Sequence, residues 1–283
     1  MRTLILPAPP LPGKAHEAQA QPRGKVPIPN HANAQRGRSA YAAMDRAQVP
    51  QITSRRAARV YNDGVDSIRK IAEADFPSRW GQFRIFGFEG QFTNSAAYGS
   101  DNPRDVDRRK ESAVALVMGD IHSQPPLVRI HSQCLTGDVF GSYRCDCRAQ
   151  LEMAFEQIAE QGRGIIIYED QEGRGIGLMA KLQAYELQDG GLDTVQANLK
   201  LGFKPDCREY KLPAAILKEL GVNEIVLMSN NPEKIAALER VGIKVKRISA
   251  EVDATPESER YLRTKREKMG HLFTDLPTNS NCD

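Results

Sequence analysis

Gly162-Arg-Gly-Ile-Ile-Ile-Tyr-Glu-Asp-Gln-Glu-Gly-Arg-Gly-Ile-Gly177 is the stretch whose reading decides the fold class. Ile165–Tyr168 is a short apolar run between turn-forming residues, which suits a buried strand. Just before it, residues 148–161 place Leu151, Phe155 and Ile158 at i, i+4 and i+7, one face of a helix that Gly162 and Gly164 stop. Just after it, alternate glycines in Gln171–Gly177 let the backbone approach a ligand closely. A helix over about Leu178–Gln188 follows and ends at Gly190-Gly191. Helix, buried strand, glycine-rich loop and helix in succession predict an α/β fold. The loop has neither the spacing of the dinucleotide fingerprint nor the Lys-Ser/Thr pair of a P-loop, and by itself it is a tight strand-to-helix turn.

The alternation continues outward. Phe83–Phe88, Ala113–Met118 and Leu127–Ile130 read as strands, and the chain takes on a globular pattern from about Phe76. Beyond the second helix, Ala214–Leu220 reads as helical and Ile225–Met228 as a strand. Asn231 then offers an N-cap with Pro232 in the first turn, Gly242 closes that helix, and Ile243–Ile248 is a further strand. No internal repeat is visible. The expectation is mixed strands and helices around one core over residues 61–273, with a tail at 274–283.

Residues 1–60 differ in kind. Eight of the 17 prolines fall in the first fifty residues, and such a segment buries too little apolar surface to offset its ordering entropy. Its ten Lys/Arg against Glu17 and Asp45 give +8, so with a net charge of +3 the remainder carries −5. A folded body of that sign does not read as a nucleic-acid binder. No apolar run approaches the ~20 residues of a membrane helix, and Met1–Leu11 is interrupted by prolines and makes a poor signal peptide. An Arg-rich, acid-poor start resembles a transit peptide, but proline breaks the amphipathic helix one needs. With five cysteines and no secretory signal, the thiols read as reduced, in the cytoplasm.

Cys134, Cys145 and Cys147 are spaced C-x10-C-x-C. Thiolates converging on one point suit tetrahedral zinc. No fourth ligand sits at zinc-finger spacing, which leaves a position for water, whose pKa zinc lowers towards ~7. Buried free cysteines, or a structural site closed by His131 or Cys207, are the alternatives. Arg129, Arg174, Arg208 and Lys234 each stand at the end of an element beside a motif, where they could face a polyphosphate.

These residues together resemble the GTP cyclohydrolase II family. Arg129-Ile-His-Ser-Gln-Cys-Leu-Thr-Gly-Asp138 and Arg144-Cys-Asp-Cys147 match its zinc motif. Gly162–Gly164, Gln171–Leu178, Leu201–Phe203, Asp206–Arg208, Ser229–Lys234 and Glu267–His271 continue it in order, from about Phe76 to Phe273. The resemblance implies zinc on Cys134, Cys145 and Cys147, and GTP held by Arg129, Ile130, His131, Ser132, Gln133, Gln150, Glu172, Gly173, Arg174, Thr194, Ser229 and Lys234. It implies Asp206 as general base, Arg208 as nucleophile at the α-phosphorus, and Tyr185 in ring opening. It also implies magnesium with the triphosphate and a homodimer. The reaction would open the imidazole ring of GTP and release formate and pyrophosphate at the start of riboflavin synthesis. Gln133 stands where many members carry Glu, and Ser229 where Thr is frequent.

Two features remain open at this level. A guanidinium must lose a proton to act as a nucleophile, so Arg208 is either that group, deprotonated by Asp206, or a charge clamp on phosphate. Competing functions leave other marks: a zinc nucleobase deaminase needs His-x-Glu and Pro-Cys-x-x-Cys, which are absent. A structural-zinc nucleic-acid module needs a basic body.

Overall fold

The computed structural model describes residues 59–61, 65–93, 108–252 and 256–273, all within one compact unit, Arg46–Asp283. The remaining residues, which include nearly all of the proline-rich tail and the whole 274–283 tail, lie outside the described residues.

Among the described residues an eight-stranded mixed sheet runs in the order β1-β2-β3-β4-β6-β5-β7-β8. Its first part is an antiparallel meander of β1 (Arg59–Tyr61), β2 (Val65–Ser78), β3 (Gly81–Thr93) and β4 (Arg108–Met118). Its second part is parallel: β6 (Gly164–Glu169), β5 (Leu127–Ser132), β7 (Glu224–Met228) and β8 (Lys244–Ile248). β4 pairs antiparallel with β6 and joins the two. Sequence reading starts the globular pattern at about Phe76, but β2 begins eleven residues earlier in chain order, at Val65. Its charged Asp66-Ser-Ile-Arg-Lys stretch hides the strand, because only one of its faces is covered: Ile68 is buried while Arg69 is exposed.

Strand periodicity sorts the core into two layers. Phe86 and Phe88 of β3, Val128 and Ile130 of β5, and Ile165 and Ile167 of β6 face helix α4 (Lys211–Glu219), through Leu212, Ile216 and Leu217. The intervening Phe83, Leu116, Leu127 and Ile166 face helix α1 (Cys147–Gln161), through Ala154, Phe155 and Ile158. Trp80 stacks on Phe155 with ring centroids 4.1 Å apart. Helices on both faces leave β5 and β6 almost wholly buried, as their apolar runs require, while the edge strand β8 stays half exposed. The helix α1 C-cap, Gly162, takes φ 66°, the left-handed turn that ends the helix as expected.

Helix α2 (Leu178–Asp189) follows the glycine-rich loop, and α3 (Thr194–Lys200) starts with a capping box between Asp193 and Gln196. Helix α5 (Pro232–Arg240) carries the anticipated Asn231 cap and Pro232, and α6 (Pro256–Met269) closes the described chain. Among the described residues no helix is long and apolar enough to cross a membrane. In the parallel half, order reverses about β5: the chain passes from β5 to β6 on one side, and β7 lies on the other. The crevice beyond the carboxyl ends of such strands is where α/β sheets bind ligands.

Candidate active site

The loop leaving β5 forms the floor of the site. Cys134 begins a π-helical turn, Leu135–Val139, and Cys145 and Cys147 return just before and at the start of α1. The three Sγ atoms lie within 4.8 Å of one another, and those of Cys134 and Cys145 are 3.6 Å apart. Tetrahedral Zn–S bonds of ~2.3 Å put sulfurs about 3.8 Å apart, so the spacing fits zinc. Gly137 makes the convergence possible: a Cβ there would come within 2.8 Å of the Cys145 sulfur and 3.1 Å of the Cys134 sulfur. The neighbouring thiols of Cys145 and Cys147 hold Cys134 far below the usual thiol range against burial, while Cys134 itself pushes Cys145 up to about 11.

The surroundings fix this floor in place. The Lys181 ammonium sits 3.1 Å from the Cys134 sulfur and 2.7 Å from Glu172 Oε1. Burial works against that charge, but Glu172 and Cys134 outweigh it and keep Lys181 protonated. Glu172 also accepts the backbone N–H of Leu135 at 2.6 Å, which ties the glycine-rich loop to the cysteine turn. Asp138 accepts from Cys134 N at 3.0 Å and from Tyr168 OH at 2.8 Å, and His131 Nε2 lies 3.2 Å from it. His131 is therefore engaged away from the thiols, and Cys207 Sγ donates weakly to Lys204 O at 3.8 Å; neither joins the cluster. Tyr185 OH is 3.2 Å from Thr136 Oγ1, beside the thiols, with its own proton held more tightly because of burial.

A second chamber adjoins this one. Ser132, Cys147, Arg174, Arg208 and Tyr261 line both, so they form one cleft. The second chamber gathers cations: Arg129, Arg174, Arg208, Lys234 and Lys265. Arg174 is buried, yet neither terminal guanidinium nitrogen has a hydrogen-bond partner among the described residues, and the same is true of Arg129 Nε and Asn230 Nδ2. Buried donors without partners are rare, so donors aimed into a cavity mark the place of an acceptor. Lys234 donates to Ile130 O at 2.8 Å, and burial, then Arg129 and Arg208, push its pKa well below the usual range. An anion would relieve that strain.

Backbone geometry aims Arg174. It is the only non-glycine residue with positive φ among those described, at 62°, and it follows Gly173 at 63°. The turn is held by Cys207 N donating to Arg174 O at 3.0 Å, and Gly175 leaves room for the Cys207 carbonyl, which a Cβ would approach to 2.9 Å. Cys207 thus acts through its backbone, as the link between the glycine-rich loop and the 206–208 segment. In that segment the Arg208 guanidinium grips Asp206 with Nε at 2.9 Å and Nη2 at 2.5 Å. Burial opposes both charges, but the pair wins: Arg208 holds the carboxyl below its usual range, and Tyr210 and Asp206 strengthen the proton's hold on Arg208.

A family profile described as GTP cyclohydrolase II matches residues 69–250. The chain belongs to the GTP cyclohydrolase II family. It is 49% identical over 210 residues to GTP cyclohydrolase-2 of Enterobacter sp. strain 638, covering 74% of this chain and 99% of that one. To GTP cyclohydrolase-2 of Escherichia coli strain HS it is 50% identical over 208 residues, 73% of this chain and 98% of the other. To the riboflavin biosynthesis protein RibBA of Aquifex aeolicus it is 46% identical over 209 residues, 73% of this chain. The chain spans about half the length of that longer relative, 48%.

Within this cyclohydrolase II chain the cleft brings together almost all residues singled out from sequence. Gln133, Glu172, Gly173, Thr194 and Tyr185 line the thiol chamber; Arg129, His131, Gln150, Ser229 and Lys234 line the cationic one. Two do not line either. Ile130 is a core side chain whose carbonyl anchors Lys234, and Asp206 stands behind Arg208. Sequence reasoning missed Glu169, which is buried, accepts from Ser132 Oγ at 2.7 Å and is pushed towards its neutral form by burial. It also missed Lys181, Tyr261 and Lys265. Lys181 carried a signal, a lone cation one turn inside a helix beside the cysteines; the last two lie on α6, too far along the chain for spacing to reveal.

Proposed function

We propose that this chain opens the imidazole ring of GTP, releasing formate and pyrophosphate to leave 2,5-diamino-6-(5-phosphoribosylamino)pyrimidin-4-one, the first step of riboflavin synthesis. The observation that carries the reading is the single cleft in which three converging thiols adjoin a chamber of buried, unpartnered cationic donors. The cationic lining of the second chamber suits a triphosphate, and the adjoining thiol chamber would take the purine. Family membership and the names of its relatives support the same substrate.

Cys134, Cys145 and Cys147 would hold zinc. When bound, zinc supplies a water acidic enough to attack purine carbon 8 at neutral pH. The chain's own groups do the rest. Arg174, Arg129 and Lys234 bind the phosphates, with magnesium travelling on the triphosphate. Arg208 faces the chamber as a fixed charge, oriented by Asp206, and stabilises the phosphate as a water molecule attacks the α-phosphorus and pyrophosphate leaves. That arrangement favours the clamp over the nucleophile, since each partner of the pair strengthens the other's charge. Tyr185 and Gln133 stand where the purine would lie, and Glu169, accepting from Ser132 Oγ, fixes that side chain where the two chambers meet.

The tail preceding β1 serves no step in this reading. A homodimer is part of it, supported by the exposed Val139, Phe140 and Tyr143 on the loop that carries the cysteines. The free thiols among the described residues fit the cytoplasm, and this reading gives the chain no membrane or nucleic-acid partner. The test is formate release from GTP, with and without a zinc chelator. Release that the chelator abolishes and zinc restores is expected; no formate from zinc-loaded chain ends the proposal.

A further inference from the structure

Residues beyond 250, where the family profile ends, reach back into the cleft. Helix α6 and the residues after it are fastened at three places. Lys265 Nζ binds Asp146 Oδ1 at 2.9 Å, between the two returning cysteines. Lys268 binds Asp193, the cap of α3, and Leu272 N donates to Asn230 O at 2.9 Å, beyond the end of β7. So docked, the segment forms a wall of the cationic chamber with Tyr261, Lys265 and His271. Tyr261 lies beneath two cations, its ring centroid 5.4 Å from the Arg174 guanidinium and 4.3 Å from Lys265 Nζ.

His271 is the informative residue. Its Nε2 is buried and has no hydrogen-bond partner among the described residues, in a chamber whose other unpartnered nitrogens belong to Arg174, Arg129, Asn230 and, at Nδ1, His131. A structural histidine in a core finds a partner; one left open towards a set of open donors shares their ligand. We propose that His271 is a further substrate-binding residue, contacting the phosphate chain through Nε2. The inference rests on the proposed function for the identity of the substrate. Burial, then Lys265, Arg208, Arg174 and Lys234, lower its pKa to about 3, so the imidazole is neutral and donates one N–H. A neutral donor suits this place: a sixth cation would add repulsion in the empty chamber, whereas N–H to phosphate costs no charge burial. Lys265 is a positioning residue, since its ammonium holds Asp146 and cradles Tyr261.

The test uses the full zinc-loaded chain, with inorganic triphosphate and guanosine as separate probes in calorimetry. His271→Ala should bind triphosphate about tenfold more weakly and guanosine unchanged, and His271→Gln, which keeps an N–H, should recover part of the loss. In the unaltered chain the ring nitrogens of His271, followed by nuclear magnetic resonance, should shift when triphosphate is added. Triphosphate affinity within twofold of the unaltered chain in His271→Ala overturns the proposal. So does an unmoved imidazole signal at saturation, which holds even if the variants fold poorly. A chain that binds triphosphate through His271 but releases no formate from GTP would instead refute the proposed function.

Discussion

Gly137→Ala tests whether the cysteine turn is built around a metal. Gly137 has no positive φ, so the backbone accepts alanine and the substitution acts through its methyl group alone. That methyl would stand 2.8 Å from the Cys145 sulfur, 3.1 Å from the Cys134 sulfur and 3.2 Å from Cys147 Cβ. Ordinary carbon–sulfur contact needs roughly 3.7 Å, so Cys145 must retreat by about 0.9 Å. Metal–ligand distances tolerate about 0.2 Å, several times less than this displacement. Changing a residue that only orients ligands costs about 10–100-fold in metal affinity. Displacing a ligand itself should cost at least the upper figure, roughly 100-fold or ~2.8 kcal/mol. The expected result is a folded protein with an unchanged circular dichroism spectrum that loses zinc on dialysis against a mild chelator. Formate release should fall in proportion to the zinc lost. If Gly137→Ala keeps one zinc per chain under the same dialysis and releases formate at the original rate, the thiols do not hold the metal in this arrangement.

Three further outcomes are expected. Arg208→Lys should keep a measurable fraction of pyrophosphate release, because a clamp needs only charge, whereas complete loss in a folded variant would make Arg208 the nucleophile. Cys147→Ser should still release pyrophosphate while formate release stops, and simultaneous loss of both would mean that the thiol chamber also organises the phosphate step. Removal of residues 1–58, which spares β1, should leave formate release within twofold, and a tenfold loss would place the tail at the site or at a subunit contact.

Sequence and structure agree best where one physical signal suffices. The apolar runs of β5, β6 and β7 are covered on both faces, so continuous hydrophobicity announced them. Helix α1 was visible through the spacing of Phe155 and Ile158, and α5 through Asn231 and Pro232. β2 was missed because much of it is exposed, Arg69, Ile71, Ala72, Ala74 and Asp75 included, and because the half-buried Lys70 and Glu73 pair with each other where apolar residues would have given the signal. α6 was missed because its sequence is rich in charge and its docking depends on Lys265 and Lys268 reaching distant carboxylates. The site followed the same division. The cysteines and the glycine-rich loop were legible because local spacing carries their chemistry. Tyr261 was not, since only its place in a chamber lined by groups far away in the chain makes it a site residue, and His271 was legible as part of the Glu267–His271 match but not in its role; Glu169 emerged only from its burial against Ser132.

The pH dependence of stability offers a check on His271 that no substrate enters. Its pKa in the folded chain is lowered to about 3 by burial and by Lys265, Arg208, Arg174 and Lys234, from an ordinary value of 6.5. A depressed folded value means that the unfolded chain takes up the proton first as the solution is acidified. The stabilisation is therefore fully present above pH 6.5 and is lost as pH falls from there towards 3. Between pH 8 and pH 5 the loss approaches 1.5 pKa intervals, on the order of 2 kcal/mol at most. His271→Gln cannot take up that proton, so its stability should decline less over the same range. The measurement is urea unfolding of both chains at pH 8, 6.5 and 5. The difference in unfolding free energy between variant and unaltered chain should move in the variant's favour on acidification. Equal declines would show that His271 titrates in the folded chain as it does in water. The cationic chamber would then be far more hydrated than its buried, unpartnered donors imply, and the case for an anion held there by His271 would fall with it.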